Sequence, residues 1–454
     1  MTYASDALAH HAEMPGVVVL PGTAEEVQRI VAACHAAGVP WVARGAGSGL
    51  SGGALPLADG VLIALQRLRR ILDVRLDDAR IVVEPGVTNL AVSRAVAPTH
   101  TYPPDPSSQV VCTIGGNVAE NAGGAHCFKH GFTTNYVTAL EIVLSDGTVA
   151  QLRRDDPGYD LLGAFVGSEG TLGIATRIEL RVVPAPEHVR TLVVFFEDTG
   201  QAGEAVSAIV AAGIVPGAIE MMDRLAIDAA EQATGAGYRR DAGAALLVEL
   251  DGPAEACERG FAEVVRLCGR AGGRDMRIAA DAAERELLWK ARKAAFAAMG
   301  RVSPAYYVQD GVIPRTKLPE VLRRIDELAA AAGLRVANVF HAGDGNLHPL
   351  VCYDPAAPGE PERAEQLAAE IVAACVQAGG SITGEHGVGV DKKHAMPLMF
   401  GEADLDAFQR LRCAFDPAGL ANPGKVMPSP RLCGEVPGPY RAHPLEQAGI
   451  AERL

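Results

Sequence analysis

The sequence predicts an α+β protein of two domains, and three observations lead to that fold class. Short apolar runs alternate with amphipathic stretches along most of the chain, the pattern of mixed sheet-and-helix domains. The first part carries three glycine-rich segments, RGAGSGLSGG, PPDPSSQVVCTIGGNVAENAGG and GSEGTLGIAT. After Pro184-Ala-Pro186 the texture changes to strand-like TLVVFF and ALLVEL, spaced by helical stretches that suit an antiparallel sheet flanked by helices. At 454 residues the chain exceeds one ordinary domain, and 48% hydrophobic residues can fill two cores.

Composition narrows the function classes. A formal charge of −14, with no basic stripe, argues against nucleic acid, whose phosphates need clustered Lys and Arg. The nine cysteines are scattered and form no C-x-x-C pair, which removes iron–sulfur and zinc-ribbon readings and fits free thiols in a reducing compartment. Residues 1–15 lack a basic n-region and an apolar h-region, and no uncharged apolar run is long enough to span a bilayer. A soluble, cytoplasmic protein is the expectation.

In chain order, a strand over Val17–Leu20 meets Pro21-Gly22, and Thr23 caps a helix with Glu26 three residues later. Val27, Ile30 and Val31 give that helix an apolar face, and Gly38 ends it. A strand over Val39–Ala43 then enters a loop with five glycines between Gly45 and Gly53. Gly47-Ser-Gly49-Leu-Ser-Gly52 formally matches G-x-G-x-x-G. That fingerprint requires a helix at the loop, whereas Pro56, Gly60 and VLIAL predict more loop and a strand. The glycines are better suited to bring backbone N–H groups to an anion, with Arg44 adding charge, than to a plain flexible loop. Strands are expected over Val61–Leu65, Ile71–Leu76 and Ile81–Val83, with a helix over Val87–Val96. The segment from Tyr102 to Gly131 has little apolar area of its own, and its backbone suits the face of a large planar ligand. A strand over Val137–Leu144 follows, turning at Asp146-Gly147.

In the second half, helices are expected over Ala202–Ala212, Ala254–Cys268 and Glu284–Met299, with strands at Thr191–Phe196 and Ala245–Leu250. A strand over Tyr306–Ile313 precedes a helix from Leu318. VFHAGDGNLHPLV, residues 339–351, reads as a hairpin that brings His341 near His348. Two imidazoles beside a glycine turn suit a transition metal, although a turn cap plus a core histidine is an equal alternative. A helix over Arg363–Ala378 leads to Ser-Ile-Thr-Gly-Glu385-His386-Gly. Glu385 is a carboxylate available as a third ligand, and adjacent extended residues point opposite ways, so His386 can face elsewhere.

The three glycine segments, in this order, resemble the flavin domain of the vanillyl-alcohol oxidase superfamily. The likeness is to the branch of D-lactate dehydrogenase, the glycolate oxidase flavin subunit and D-2-hydroxyglutarate dehydrogenase. It implies a two-subdomain FAD-binding domain over 14–186 and an α+β cap with an antiparallel sheet over 187–412. A return segment over 413–428 and a peripheral tail over 429–454 complete the chain. Arg44, Gly45, Ala46, Gly47, Ser48 and Gly49 would lie on the pyrophosphate. Pro104, Asp105, Ser108, Thr113, Gly115, Gly116, Asn117, Asn121, Gly123 and Gly124 would surround the flavin with Gly170, Gly173 and Ile174, and Asn422 and Lys425 would meet it from the return segment.

The resemblance also implies a divalent ion (Zn, Mn or Fe) on His341, His348 and Glu385, and His386 as catalytic base. Arg292, in a W-x-x-R pattern, would clamp the substrate carboxylate, where the bland reading is a solvated surface charge. The implied reaction is oxidation of a small 2-hydroxy acid to the 2-oxo acid, with hydride passing to flavin N5. Val308 and Leu350 stand where the hydroxyglutarate branch carries a lysine and an asparagine, which favours D-lactate or glycolate over a dicarboxylate. Rival readings are an ether-lipid-synthase-like, non-redox chain and an accessory flavin subunit. The electron acceptor stays open among quinone, cytochrome, electron-transfer flavoprotein and an iron–sulfur subunit, through which the chain could meet a membrane. A homodimer is also left open. Some relatives attach FAD through a histidine in the first loop. Here Ser48 stands at that position, so FAD should be dissociable: denaturation and filtration will carry the yellow colour into the filtrate, and colour kept on the polypeptide would overturn this.

Overall fold

The computed structural model describes residues 2–8 and 11–428, so the expected tail over 429–454 lies outside the described residues. Its N-terminal part is built on two small sheets. Strands Val17–Val19, Val61–Ala64 and Trp41–Arg44 form a parallel sheet in that spatial order. Helix Ala24–Ala37 covers it, burying Val27, Val31 and Cys34. Thr23 accepts the Glu26 N–H, and Gly38 closes the helix at φ 64°, a left-handed position that glycine adopts without strain. No helix starts at the glycine loop; the next element is strand Val61–Ala64, which disposes of the dinucleotide fingerprint.

The second sheet is antiparallel, in the order Ile71–Arg75, Arg80–Val83, Ile174–Arg181, Val137–Val143, Val149–Arg153. Its core includes Ile81, Leu140, Ile178 and Val118. Val118 belongs to a short helix, Ile114–Glu120, that the sequence reading treats as irregular chain because two glycines open it. Gly115 is accepted there for a packing reason: its N–H donates to Pro85 O, and a Cβ would stand 2.6 Å from Pro85 Cβ.

The C-terminal part is a seven-stranded antiparallel sheet. Across it run Arg274–Ile278, His188–Phe196, Ala244–Gly252, Ala218–Asp223, Arg335–His341, Pro349–Tyr353 and Ala305–Val308. Both faces are covered, which is why TLVVFF is apolar without alternation. Leu192, Val194 and Phe196 pack with helices Thr199–Ala211, Ala254–Arg270, Leu318–Ala332 and Glu360–Gln377. Val193 and Phe195 face helices Arg224–Thr234 and Ala282–Ala298. Strand Ala218–Asp223 and its helix are absent from the sequence reading, because six residues of mixed polarity carry no clear period. The expected strand to Ile313 stops at Val308, and residues beyond it continue as bridges from Val312 to Asn346 and Ser381.

After helix Glu402–Phe415 the chain rejoins the parallel sheet: Ala421 bridges Trp41, Trp41 N–H donates to Leu420 O, and Asn422 N–H donates to Trp41 O. The cysteine expectation needs one amendment. Cys34, Cys112, Cys127, Cys257, Cys268, Cys352 and Cys375 are free and buried, but Cys413 is disulfide-bonded, a pairing that sequence spacing does not reveal.

Candidate active site

Asp310 organises the site. Fully buried, it directs Oδ2 at the turn over residues 383–386. Thr383 Oγ1 donates to it at 3.0 Å, and the N–H groups of Gly384, Glu385 and His386 donate at 3.1, 2.9 and 2.7 Å. Its other oxygen receives Lys392 Nζ. Burial alone would raise this carboxyl, but Lys392 and His386 outweigh it and lower its pKa to about 2. Glu169 secures the next residues, accepting from Val388 N–H at 2.7 Å and Gly389 N–H at 2.6 Å.

The turn delivers Glu385 to the two hairpin histidines. Glu385 Oε1 lies 3.2 Å from His341 Nε2 and 3.4 Å from His348 Nε2, and one donor atom from each residue falls within 4.8 Å of the others. Ligands about 2.0–2.2 Å from one tetrahedral ion would stand about 3.3 Å apart, which the two Glu385–histidine distances match. Neither ring nitrogen of His348, fully buried, has a hydrogen-bond partner. Burial lowers its pKa to about 4, and a neutral imidazole is the form that binds a metal. Burial also opposes charge on His341, but Glu220 and then Glu385 overrule it and hold its pKa well above the usual value. Conversely Glu385, despite burial, is held well below the carboxylate range by His341.

His386 stacks on His348, ring centres 4.9 Å apart and planes within 9°. Burial lowers its pKa, which leaves a neutral base at pH 7, and its Nδ1 has no hydrogen bond. The neighbours that would recharge it are Asp310, with Oδ2 3.8 Å from Nδ1, and Glu385, with Oε1 4.0 Å from Nε2.

His348, Glu385 and His386 form one end of a cavity of about 410 Å³ between the two parts of the molecule. The other end is the glycine loop: Arg44, Gly45, Ala46, Gly47, Ser48 and Gly49 all line it. So do Ser108, Thr113, Gly115, Gly116, Asn117 and Gly123, and beyond them Gly170, Gly173 and Ile174. Arg44 Nη1, Thr113 Oγ1, Ser168 Oγ and Glu120 Oε2 are buried in this wall without hydrogen-bond partners. A long cavity edged by close backbone and unpaired polar atoms fits an extended dinucleotide such as FAD. Gly47, at φ 70°, also lies so close to Arg44 that a Cβ would strike the guanidinium.

Several expected contacts sit elsewhere. Asn422 is buried behind the loop, and its amide donates to Gly53 O at 2.9 Å and Glu169 O at 2.7 Å; Lys425 donates to Leu55 O. Both hold the loop from behind. Pro104 accepts from Asn89, Asn121 caps a helix at φ 51°, and Gly124 abuts Asp105. Asp105 pairs with His126 at 2.9 Å, and His126 reaches Glu249 of the C-terminal part at 3.4 Å. Burial opposes charge on that imidazole, yet Asp105 and Glu249 raise its pKa to about 10, making it a cationic rivet between the domains.

Arg292 is not the exposed charge of the bland reading, nor is it on the cavity wall. It is 2% exposed, with Nη2 2.5 Å from Glu220 Oε2 and with Nε and Nη2 lacking hydrogen bonds. Its helix presents Lys293, Phe296 and Ala297 to the cavity instead. His341 likewise lies one layer behind the wall. The sequence reading missed Lys293, one position from Arg292, and the two wall carboxylates Glu120 and Glu169, which stand inside motifs chosen for their glycines.

Residues 15–153 match the "FAD binding domain" family model and residues 185–426 the "FAD linked oxidases, C-terminal domain" model. The chain belongs to the FAD-linked oxidase family and is an FAD-dependent oxidoreductase. Among its relatives, glycolate oxidase subunit GlcD of Escherichia coli (strain K12) is 49% identical over 95% of this chain and 88% of its own. D-lactate dehydrogenase of Anaerostipes hadrus is 33% identical over 91% of this chain and 89% of its own. In fold, p-cresol methylhydroxylase superposes with a TM-score of 0.74 at 17% identity, over 90% of this chain and 88% of that one. The chain shares the fold of that protein. No helix among the described residues is long and apolar enough to cross a membrane.

The Asp310 anchor has a measurable signature. Its folded pKa lies below its unfolded value, so its stabilisation is complete above about pH 4 and disappears as pH falls towards 2. That contribution is about 2 kcal/mol. Asp310→Asn also strands the buried Lys392 charge, so urea unfolding at pH 7 should show a loss of roughly 3–5 kcal/mol and a flatter dependence between pH 4 and 2.

Proposed function

We propose that this protein oxidises a small 2-hydroxy acid, glycolate or D-lactate, to the 2-oxo acid. The reading rests on one observation above others: a neutral, buried His386 stacked on a two-histidine, one-carboxylate cluster at one end of an FAD-sized cavity. FAD, held by the glycine loop and the Thr113–Gly123 face, supplies the two-electron acceptor for the hydride lost from C2. His341, His348 and Glu385 would hold a divalent ion, a donor set that suits Zn, Mn or Fe, and such an ion would supply Lewis acidity to the substrate hydroxyl.

The chain's own groups do the rest. His386 takes the hydroxyl proton on a ring nitrogen; Asp310, through the turn amides, holds that ring in place. Lys293 on the open wall adds the positive charge a substrate carboxylate needs, while Arg292 stands behind the wall against Glu220. Phe296, whose ring centre is 5.6 Å from that of His348, and Val308 make the substrate end apolar, with no cation at 308 to receive a second carboxylate. Relatives named as a glycolate oxidase subunit and as a D-lactate dehydrogenase support the substrate class. The word subunit in the former favours a partner chain as electron acceptor.

Anaerobic mixing with a panel of D- and L-2-hydroxy acids tests the reading. Glycolate or D-lactate should bleach the flavin, and a chelator should abolish it; a panel that leaves the flavin oxidised would overturn the proposal. His386→Ala should keep its FAD and lose about 10²–10⁴-fold in bleaching rate.

A further inference from the structure

Glu220 is the direct cross-strand partner of His341, and both side chains project into the same buried layer. Its two oxygens lie 2.8 and 2.9 Å from His341 Nδ1, and on its other flank Arg292 Nη2 lies 2.5 Å from Oε2. All three side chains are within 5% of complete burial. With a metal bound, an Nδ1–H donated to Glu220 would leave the lone pair on Nε2, the atom that faces Glu385 and shares the cluster with His348.

We propose that Glu220 is a positioning residue for the divalent ion: it fixes His341 as an Nε2 ligand, and Arg292, paired on its other flank, holds Glu220 in place. Imidazole ligands need such an outer partner to set ring orientation and basicity. Without it, a ring on a strand end could rotate or present the other nitrogen. Arg292 thereby acts on the metal side through Glu220. This rests on the metal reading given above, and the experiment separates the two.

FAD-loaded protein, stripped with chelator and dialysed, is titrated with Zn²⁺ against a chelating dye, with bound metal counted by mass spectrometry. Glu220→Gln keeps the shape of the side chain and removes its charge. It should bind Zn²⁺ about 10- to 100-fold more weakly than wild type, with FAD content and flavin spectrum unchanged. Equal affinity in the two proteins would overturn the role of Glu220 while leaving the metal reading intact. No tight Zn²⁺ binding by wild type would overturn both. Should Glu220→Gln fail to retain FAD, ¹⁵N-histidine spectra of Zn²⁺-loaded wild type decide: a protonated Nδ1 with metal-shifted Nε2 on His341 supports the inference, and the reverse ends it.

Discussion

Three backbone N–H groups and a threonine hydroxyl converge on one oxygen of Asp310, and the site depends on that convergence. Donors gathered at one buried point would repel one another and go unsatisfied without an anion there. With it, the turn at residues 383–386 has one conformation, and Glu385 and His386, which the extended-chain expectation sends opposite ways, instead both reach His348. Lys392 balances the charge, so the ion pair and the turn form together. The following residues are held by Glu169, which belongs to the N-terminal part. The turn and the residues that follow it are therefore held by one carboxylate from each domain, and the domain interface is part of the cavity wall.

The rest of the interface has the same character. His126 stands between Asp105 and Glu249, while Arg285 binds Glu249 through Nε at 2.7 Å and Nη2 at 2.6 Å, and Trp289 Nε1 donates to it at 2.7 Å. Charges with several partners in a low-dielectric setting are geometrically demanding. They fix the angle between the flavin-binding loops and the seven-stranded sheet more narrowly than apolar contact would.

Much of this was legible in the chain itself. Helix Ala24–Ala37 announces its start, face and stop in local chemistry, and the continuous TLVVFF run signals a strand buried on both faces. Glycine segments reveal a ligand surface because nothing in an ordinary core needs so much bare backbone. The spacing of His341 and His348 across a glycine turn places both imidazoles at one sheet end. What stayed hidden is relational. Glu220 sits in AIEMMD, a run with no period, and gains meaning only from the strand beside it. Arg292 reads as a ligand clamp or a surface charge, and its burial against Glu220 is a matter of how a helix lies on a sheet. Asn422 and Lys425 lie in a motif whose place is right, but its side chains brace the loop from behind rather than face the cavity. Gly115 sits in the first turn of a helix because Pro85 allows only glycine so near, a contact made across the fold.

The closure of residues 420–422 onto Trp41 bears on how the molecule is made. Ala421 and Asn422 complete the edge of a sheet whose other strands are among the first synthesised, and Asn422 also ties the glycine loop to Glu169. On the ribosome, the nucleotide-binding half must wait while more than three hundred intervening residues emerge and fold. During that interval its exposed strand and loop are incomplete, and a nascent chain stopped short of this point would lack the brace that shapes the cavity. The shape of the cavity therefore depends on nearly the whole polypeptide, from Trp41 to Asn422.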